Sequence, residues 1–292
     1  MKEYEARYAP RLMPLLPTLA RIDGKSFHTF TRGLHRPFDH RLVELMRRTT
    51  EFLVKETRAL VGYTQSDEIT LCYYSPSTKS QIFFDGKSQK LTSVLASMAT
   101  ACFNAALPGY IHEKAMQMAF FDCRVWQVPT LCEAANVFVW RELDATRNSL
   151  EMLARAHFSH KALLGVGAKG LHEMLHGVNV NWNDLPSAFK RGSYFGWKEF
   201  ELPHDCAALK CAPGPHPGPK YRKRLVDLAL EPLLTYPDRV RTLFGVQHTC
   251  EVTHDAVSNR PEREGHPESA PLSEASEVQG AEEAGGELPR VS

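Results

Sequence analysis

Arg21-Ile22-Asp23-Gly24-Lys25-Ser26-Phe27-His28 and, further on, Gly62-Tyr63-Thr64-Gln65-Ser66-Asp67-Glu68 are the stretches on which the reading of this chain turns. In the first, Leu15, Leu16, Leu19 and Ile22 make an apolar, strand-like run that ends at Asp23, where Gly24 breaks the strand and exposes Lys25 and Ser26. In the second, Leu60, Val61 and Tyr63 lead to Ser66-Asp67-Glu68. Ile69, Leu71 and Tyr73 then alternate with Thr70 and Cys72, as in a half-buried strand. Each run therefore delivers a carboxylate to a strand end.

The surrounding pattern predicts an α+β fold in which an antiparallel sheet is packed with helices. Residues 39–58 carry Leu42, Leu45, Met46, Phe52 and Leu53 at near-helical spacing, and residues 91–107 form an Ala-rich apolar helix. Residues 80–84 suggest a short strand, and residues 118–125 suggest another bearing Phe120, Asp122 and Arg124. From 144 to about 175 the pattern is helical, divided by Gly165, Gly167 and Gly170. Residues 189–195 read as a basic turn or hairpin. The cluster Lys220-Tyr221-Arg222-Lys223-Arg224 opens a helix-like segment reaching Leu234, which is either an RNA-phosphate contact or a solvated face. Pro213 to Pro219 reads as a linker. The expected division is a catalytic domain at 1–200, a basic, helical C-terminal extension at 201–254, and a disordered tail at 255–292, which is rich in Glu, Ser, Pro and Gly.

With 292 residues and 43% hydrophobic content the chain can bury a substantial core, and its net charge of +1 leaves any RNA affinity to local patches. The apolar stretches read as too short and interrupted to span a bilayer, and Met1-Lys2-Glu3-Tyr4-Glu5 lacks a signal-peptide core, so no membrane partner and a cytoplasmic location are expected. Cys72, Cys102, Cys123 and Cys132 sit in apolar surroundings and read as free core residues; seven cysteines at irregular spacing do not form a disulfide framework. His204, Cys206, Cys211 and His216 are either a zinc cluster or a loop with incidental ligand-capable residues, since the spacing matches no common module.

Singly, Asp-Gly is an ordinary turn and Ser-Asp-Glu an ordinary bend or helix start. Together they fit a different chemistry: two aspartates at neighbouring strand ends share a pair of Mg²⁺ ions in phosphoryl or nucleotidyl transfer. Arg21, Lys25 and Ser26 beside one aspartate and Ser66 beside the other supply the cations and hydroxyls that a triphosphate needs.

Arg21-Ile22-Asp23-Gly24-x-x-Phe27-His28-x-Phe30, Arg36-Pro37-Phe38-Asp39 and Tyr63-x-Gln65-Ser66-Asp67-Glu68 closely resemble the signature of the tRNA-His guanylyltransferase family, the 3′-to-5′ nucleotide polymerases. The likeness continues through Ser93-Val94-Leu95-Ala96-Ser97, Trp140-Arg141-Glu142-x-Asp144 and Lys190-Arg191-Gly192-Ser193, and so spans about residues 15 to 200. The resemblance implies a polymerase-palm sheet with a ferredoxin-like core. It implies that Asp23 and Asp67 bind two Mg²⁺ ions with the Gly24 carbonyl as a further ligand. It places Arg21, Lys25, Ser26, Phe27, His28, Arg36, Asp39, Ser66 and Glu68 around a nucleoside triphosphate, GTP or ATP. Lys87, Lys90, Asn148, Lys190 and Arg191 are placed toward a triphosphate or the tRNA. A homo-oligomer, dimer or tetramer, is implied as well.

One segment departs from the family. Members dedicated to tRNA-His carry His-Ile-Asn-Asn-x-x-Asn where this chain has Thr146-Arg147-Asn148-Ser149-Leu150-Glu151-Met152, and only Asn148 survives. That places the chain nearer the guanylyltransferase-like branch, template-dependent polymerases that repair 5′-truncated tRNAs. Two other classes stay open on the sequence: a nucleotide cyclase or dinucleotide synthase on a palm sheet, and a noncatalytic tRNA-binding protein.

Overall fold

The alternating run that ends at Asp23 forms a strand covered on both faces: Leu19 turns to one hydrophobic core, and Ala20 and Ile22 turn to another. The computed structural model describes residues 1–7, 10–201 and 221–246. In chain order its elements are α1 (Lys2–Arg7), β1 (Thr18–Gly24), α2 (Phe27–Phe30), α3 (His40–Thr57), β2 (Val61–Gln65), β3 (Glu68–Tyr73), α4 (Ser88–Tyr110), β4 (Phe121–Gln127), α5 (Leu131–His157), α6 (His160–Leu163), α7 (Ala168–Gly177), α8 (Ser187–Lys190), β5 (Ser193–Glu201), β6 (Tyr221–Asp227) and α9 (Arg239–Phe244), with short 3₁₀ turns between. The strands form one antiparallel sheet in the order β4-β1-β3-β2-β5-β6. This is the expected α+β architecture.

α3 and α4 cover one face of the sheet, and α5 with α9 covers the other. α3 begins where the sequence suggests, because the Asp39 carboxylate accepts the Arg41 N–H (3.0 Å) as its N-cap. α4 buries Leu91, Leu95, Ala99, Phe103 and Leu107, one residue per turn, against the sheet. Beyond the sheet, the second half of α5 packs Leu150, Leu153 and Ala154 against Leu171, Leu175 and Trp182, a separate small core.

Several expectations are corrected. Residues 80–84 do not form a strand: Phe83–Gly86 is a 3₁₀ turn, and the positive φ of Phe84 and Asp85 (53° each) is incompatible with extended backbone. α5 starts at Leu131, well before residue 144. The segment after Lys220 is a strand, not a helix: β6 pairs with β5 from Glu201↔Tyr221 to Phe195↔Asp227, so the basic extension belongs to the same sheet and a boundary at 200 would cut a strand pair. α4, at 23 residues, is by length and composition apolar enough to cross a membrane, contrary to the reading of short apolar stretches, although its buried stripe is used up on the sheet. Cys72, Cys102 and Cys123 are free, whereas Cys132 is disulfide-bonded. Lys220, the His204/Cys206/Cys211/His216 set, the 213–219 linker and the 255–292 tail lie outside the described residues.

Glu142 ties the layers together. Its buried carboxylate accepts the Tyr194 hydroxyl of β5 (2.8 Å) and the Leu233 N–H beyond β6 (3.0 Å). Burial is the main reason its carboxyl titrates above the ordinary 4.5, with the Tyr194 and Leu233 hydrogen bonds opposing. A carboxyl raised on folding contributes stability in full below its unfolded value and loses it as pH rises toward the folded one. Glu142→Gln removes this titration, so its stability deficit relative to wild type narrows as pH rises from below 4.5 to neutrality. Urea midpoints across that range measure the gap; a pH-independent gap would mean that Glu142 titrates alike in the folded and unfolded protein.

Candidate active site

β1 lies between β3 and β4, with Asp23 opposite Glu68 on one side and Asp122 on the other. Gln65 pairs with Glu68, so Ser66 and Asp67 are the two-residue turn of the β2–β3 hairpin, and Ser66 takes the positive φ (55°) that such a turn needs. Gly24 N–H donates to the Asp67 carbonyl (3.1 Å) and Lys25 N–H to the Phe120 carbonyl (2.8 Å). The end of β1 is thereby fastened to the hairpin turn, and Asp23 is brought to Asp67.

The loop after Asp23 is shaped by aromatic packing. Phe27 is 4% exposed, with ring centroids 5.1 Å from Phe30, 5.7 Å from Phe103 and 5.2 Å from Phe121. A Cβ at residue 24 would lie 2.2 Å from the Phe27 ring, which explains the glycine. Phe27, expected on the loop that wraps the triphosphate, is buried: its ring anchors the loop in the core, while Lys25, Ser26 and His28 stay exposed.

Asp67 is half-buried, and burial raises its carboxyl above the ordinary value; the charge of Asp23 adds to the rise, while its own N–H and the Ser66 hydroxyl (3.0 Å) oppose it. Among the described residues no Lys, Arg or His forms an ion pair with Asp23 or Asp67. Two adjoining carboxylates without a cationic partner fit a Mg²⁺ site, since Mg²⁺ is commonly held by one or two carboxylates and completes its shell with water and substrate phosphate. No cluster of three or more His, Cys, Asp or Glu suited to a metal occurs among the described residues, which sets this site apart from an all-protein cage.

Glu68 is used differently. Arg141 Nε lies 2.7 Å from one of its oxygens and Arg21 Nε 3.8 Å from the other; both guanidiniums also face the Trp140 ring, at 4.5 and 5.8 Å. Burial raises the Glu68 carboxyl and these arginines oppose it. Asp39, expected near the nucleotide, is 5% exposed: besides the Arg41 N–H it accepts the His35 N–H (3.2 Å) and the Arg41 guanidinium (2.7 Å), which holds its carboxyl well below the usual range. Its oxygens serve the start of α3. Arg36 is exposed nearby in sequence.

A cavity of about 300 Å³ is lined by Asp23, Gln65, Ser66, Asp67 and Glu68 from the sheet and by Arg141, Asn148, Glu151, Met152 and Arg155 from α5. Asn148 thus joins the aspartates, and its amide donates to Asp144 (3.3 Å). Gln65 and Arg141 stood in the motifs and Glu151 and Met152 in the departing segment without being assigned to the site, and Arg155 was not singled out at all. The signal was the spacing 141, 148, 155, which repeats on one face of a helix once the helix is known to begin at Leu131.

The other basic residues lie outside this lining. Lys87 bridges to Arg11, and the Lys90 ammonium sits 4.9 Å from the Phe84 ring. Lys190 donates to the Asn183 carbonyl (2.6 Å) and titrates below the ordinary lysine value, mainly through desolvation. Arg191 lines a separate cavity of about 90 Å³ with Arg47, Glu142 and Ser193, and its carbonyl accepts the Tyr63 hydroxyl (2.7 Å). Gly192 follows with a positive φ of 85°, and a Cβ there would lie 2.5 Å from the Thr64 carbonyl oxygen.

The family profile described as tRNAHis guanylyltransferase matches residues 1–129. A probable tRNA(His) guanylyltransferase of Dictyostelium discoideum is 30% identical over 190 residues, covering 60% of this chain and 73% of that protein. The chain belongs to the tRNA(His) guanylyltransferase family. Family membership makes it an enzyme of the nucleotidyltransferase class. A bacterial tRNA(His) guanylyltransferase-like protein solved in complex with ATP is 40% identical, with a TM-score of 0.64 over 67% of this chain and 86% of that one. A bacterial family member solved in complex with GTP is 32% identical, with a TM-score of 0.62 over 80% and 92%. These neighbours fit the palm-like reading of the sheet.

The contact between residue 24 and the Phe27 ring gives a direct check on the loop. Gly24→Ala should destabilise the fold by about 1–3 kcal/mol through overpacking, as read by urea unfolding. Wild-type stability would remove the ring contact as the determinant of loop shape.

Proposed function

We propose that this family member adds nucleotides, GTP favoured, to the 5′ end of tRNA in the 3′-to-5′ direction, and that its physiological work is template-dependent repair of 5′-truncated tRNA rather than dedicated tRNA-His guanylylation. The observation that carries the chemistry is the Gly24 N–H to Asp67 carbonyl bond (3.1 Å), which joins two carboxylates that have no cationic partner among the described residues. In the reaction, the 3′-oxygen of the incoming nucleotide forms a bond to the 5′-phosphorus of the RNA as the bond to pyrophosphate, or to AMP after activation by ATP, breaks.

Asp23, Asp67 and the Gly24 carbonyl would hold Mg²⁺, two ions in this reading, which lower the pKa of an attacking hydroxyl and neutralise charge on a departing phosphate. The chain's own residues do the positioning. Lys25, Ser26 and His28 are exposed on the loop that Phe27 anchors, where they can surround a triphosphate. Arg141 and Arg21 keep Glu68 turned to α5, so that it does not add a third free charge at the aspartates. Fixed positions of this kind, with matched electrostatics, supply much of the acceleration in phosphoryl transfer.

The substituted segment supports the templated reading. The Thr146 hydroxyl donates to the Glu142 carbonyl (2.8 Å), and the Ser149 hydroxyl accepts Trp182 Nε1 (3.1 Å), so two of the replaced positions serve packing. Met152 presents an apolar group to the cavity where dedicated members carry Asn. When base pairing selects the nucleotide, the protein needs to read only duplex shape and backbone.

Labelled GTP should enter the 5′ end of a tRNA lacking its first nucleotide opposite C, and depend on Mg²⁺. Asp23→Ala or Asp67→Ala should lower incorporation by a factor on the order of 10³. Normal incorporation by either variant would refute the site. Offering all four nucleotides separately to truncated tRNAs and to tRNA-His tests the RNA: the nucleotide that enters should follow the opposing base, and a fixed preference for GTP on tRNA-His alone would favour dedicated guanylylation.

A further inference from the structure

The cavity at the aspartates has a second wall. Arg141, on that wall, is committed to Glu68 (2.7 Å) and Asp144 (3.1 Å). Arg155 is not: its one ion-pair partner among the described residues is Glu151 (3.1 Å), one turn earlier on α5, and its side chain is 65% exposed. An exposed pair of this kind is weak and readily exchanged. The same two residues line a second cavity of about 220 Å³, formed with His160, Leu163 and Val166, so the guanidinium stands where two cavities meet.

The reaction needs two phosphate-bearing partners at the aspartates. The loop at Lys25 and Ser26, on the β1 side, is suited to the triphosphate of the nucleotide; the RNA then approaches along α5. Arg155 lies two helical repeats beyond Arg141 on that face and is the lining cation held only by an exposed carboxylate. A guanidinium binds phosphate oxygens in the same forked geometry as a carboxylate. We propose that Arg155 is a positioning residue that binds a phosphate of the acceptor RNA in exchange for Glu151. This inference rests on the reading of the site as one for 5′-end nucleotide addition. Glu151 holds the guanidinium in the free protein and competes with RNA for it.

The exchange fixes the sign of two opposite effects. With the full chain, affinity is measured without nucleotide, across a salt series, for one truncated tRNA carrying a 5′-triphosphate, a 5′-monophosphate or a 5′-hydroxyl. Arg155→Gln should weaken binding about tenfold and reduce the salt slope by about one, whereas Arg155→Lys should retain most of the affinity. Glu151→Gln should tighten binding, because it removes the competitor. GTP affinity without RNA should stay unchanged in all three variants. A loss confined to the RNAs that carry a 5′-phosphate assigns the terminal phosphate group, and an equal loss on all three RNAs assigns an internal one. Wild-type RNA affinity in Arg155→Gln, or weakening by both Arg155→Gln and Glu151→Gln, overturns the proposal. Binding is read without turnover, so a wild-type protein that binds RNA but incorporates no nucleotide would sink the proposed reaction separately.

Discussion

The antiparallel register of β1 against β3 is the constraint on which the rest of the structure depends. Asp23 lies opposite Glu68, and the next backbone group, Gly24 N–H, reaches the Asp67 carbonyl in the adjoining turn. A slip of one residue would turn Asp23 into the core beneath α3 and α4 and bring Ile22 to the α5 face. That slip is opposed on both sides of the sheet, because Leu19 is buried against α5 while Ala20 and Ile22 are buried against α3 and α4. The core thus fixes the site indirectly, by fixing which way each side chain of β1 points.

The carboxylates show how partners decide the role of one chemical group. Asp39 has two backbone N–H groups and a guanidinium, and so remains ionised as a helix cap. Glu68 lies between two arginines. Glu142 has a hydroxyl and an N–H but, among the described residues, no cation in ion-pair contact, and burial moves it toward the neutral form while it holds three parts of the chain together. Asp23 and Asp67 have no ion-pair partner among the described residues, which is what the proposed reading asks of them.

Much of this was legible in local sequence. β1, the β2–β3 hairpin, α3 and α4 announce themselves through alternation, an N-cap and a stripe of one apolar residue per turn, and the two aspartates sit within those signals. β6 was hidden because Tyr221-Arg222-Lys223-Arg224 is exposed throughout and joins the sheet at its edge through backbone pairing, which leaves no apolar alternation to read. The first half of α5 was hidden for another reason: its buried face includes the polar Glu142, and its exposed face includes Trp140 and Leu143. Missing that half concealed the cavity's second wall, since Arg141 and Arg155 come together with the aspartates only through tertiary packing. Phe27 and Asp39 stood in the right motif, but the motif could not say which of its residues face the core.

α5 runs without a break from Leu131 to His157, and this has a mechanical meaning. Glu142 clamps it to the sheet, so everything farther along is held at a distance set by helical rise; Arg155 lies about 21 Å along the axis from Arg141. The helix acts as a ruler. A side chain on it can be exchanged singly, but inserting or deleting one residue would rotate every later position by about 100° and take the distal residues off the cavity. Change in what this wall recognises is therefore confined to substitution at fixed length, the kind of change seen between Thr146 and Met152.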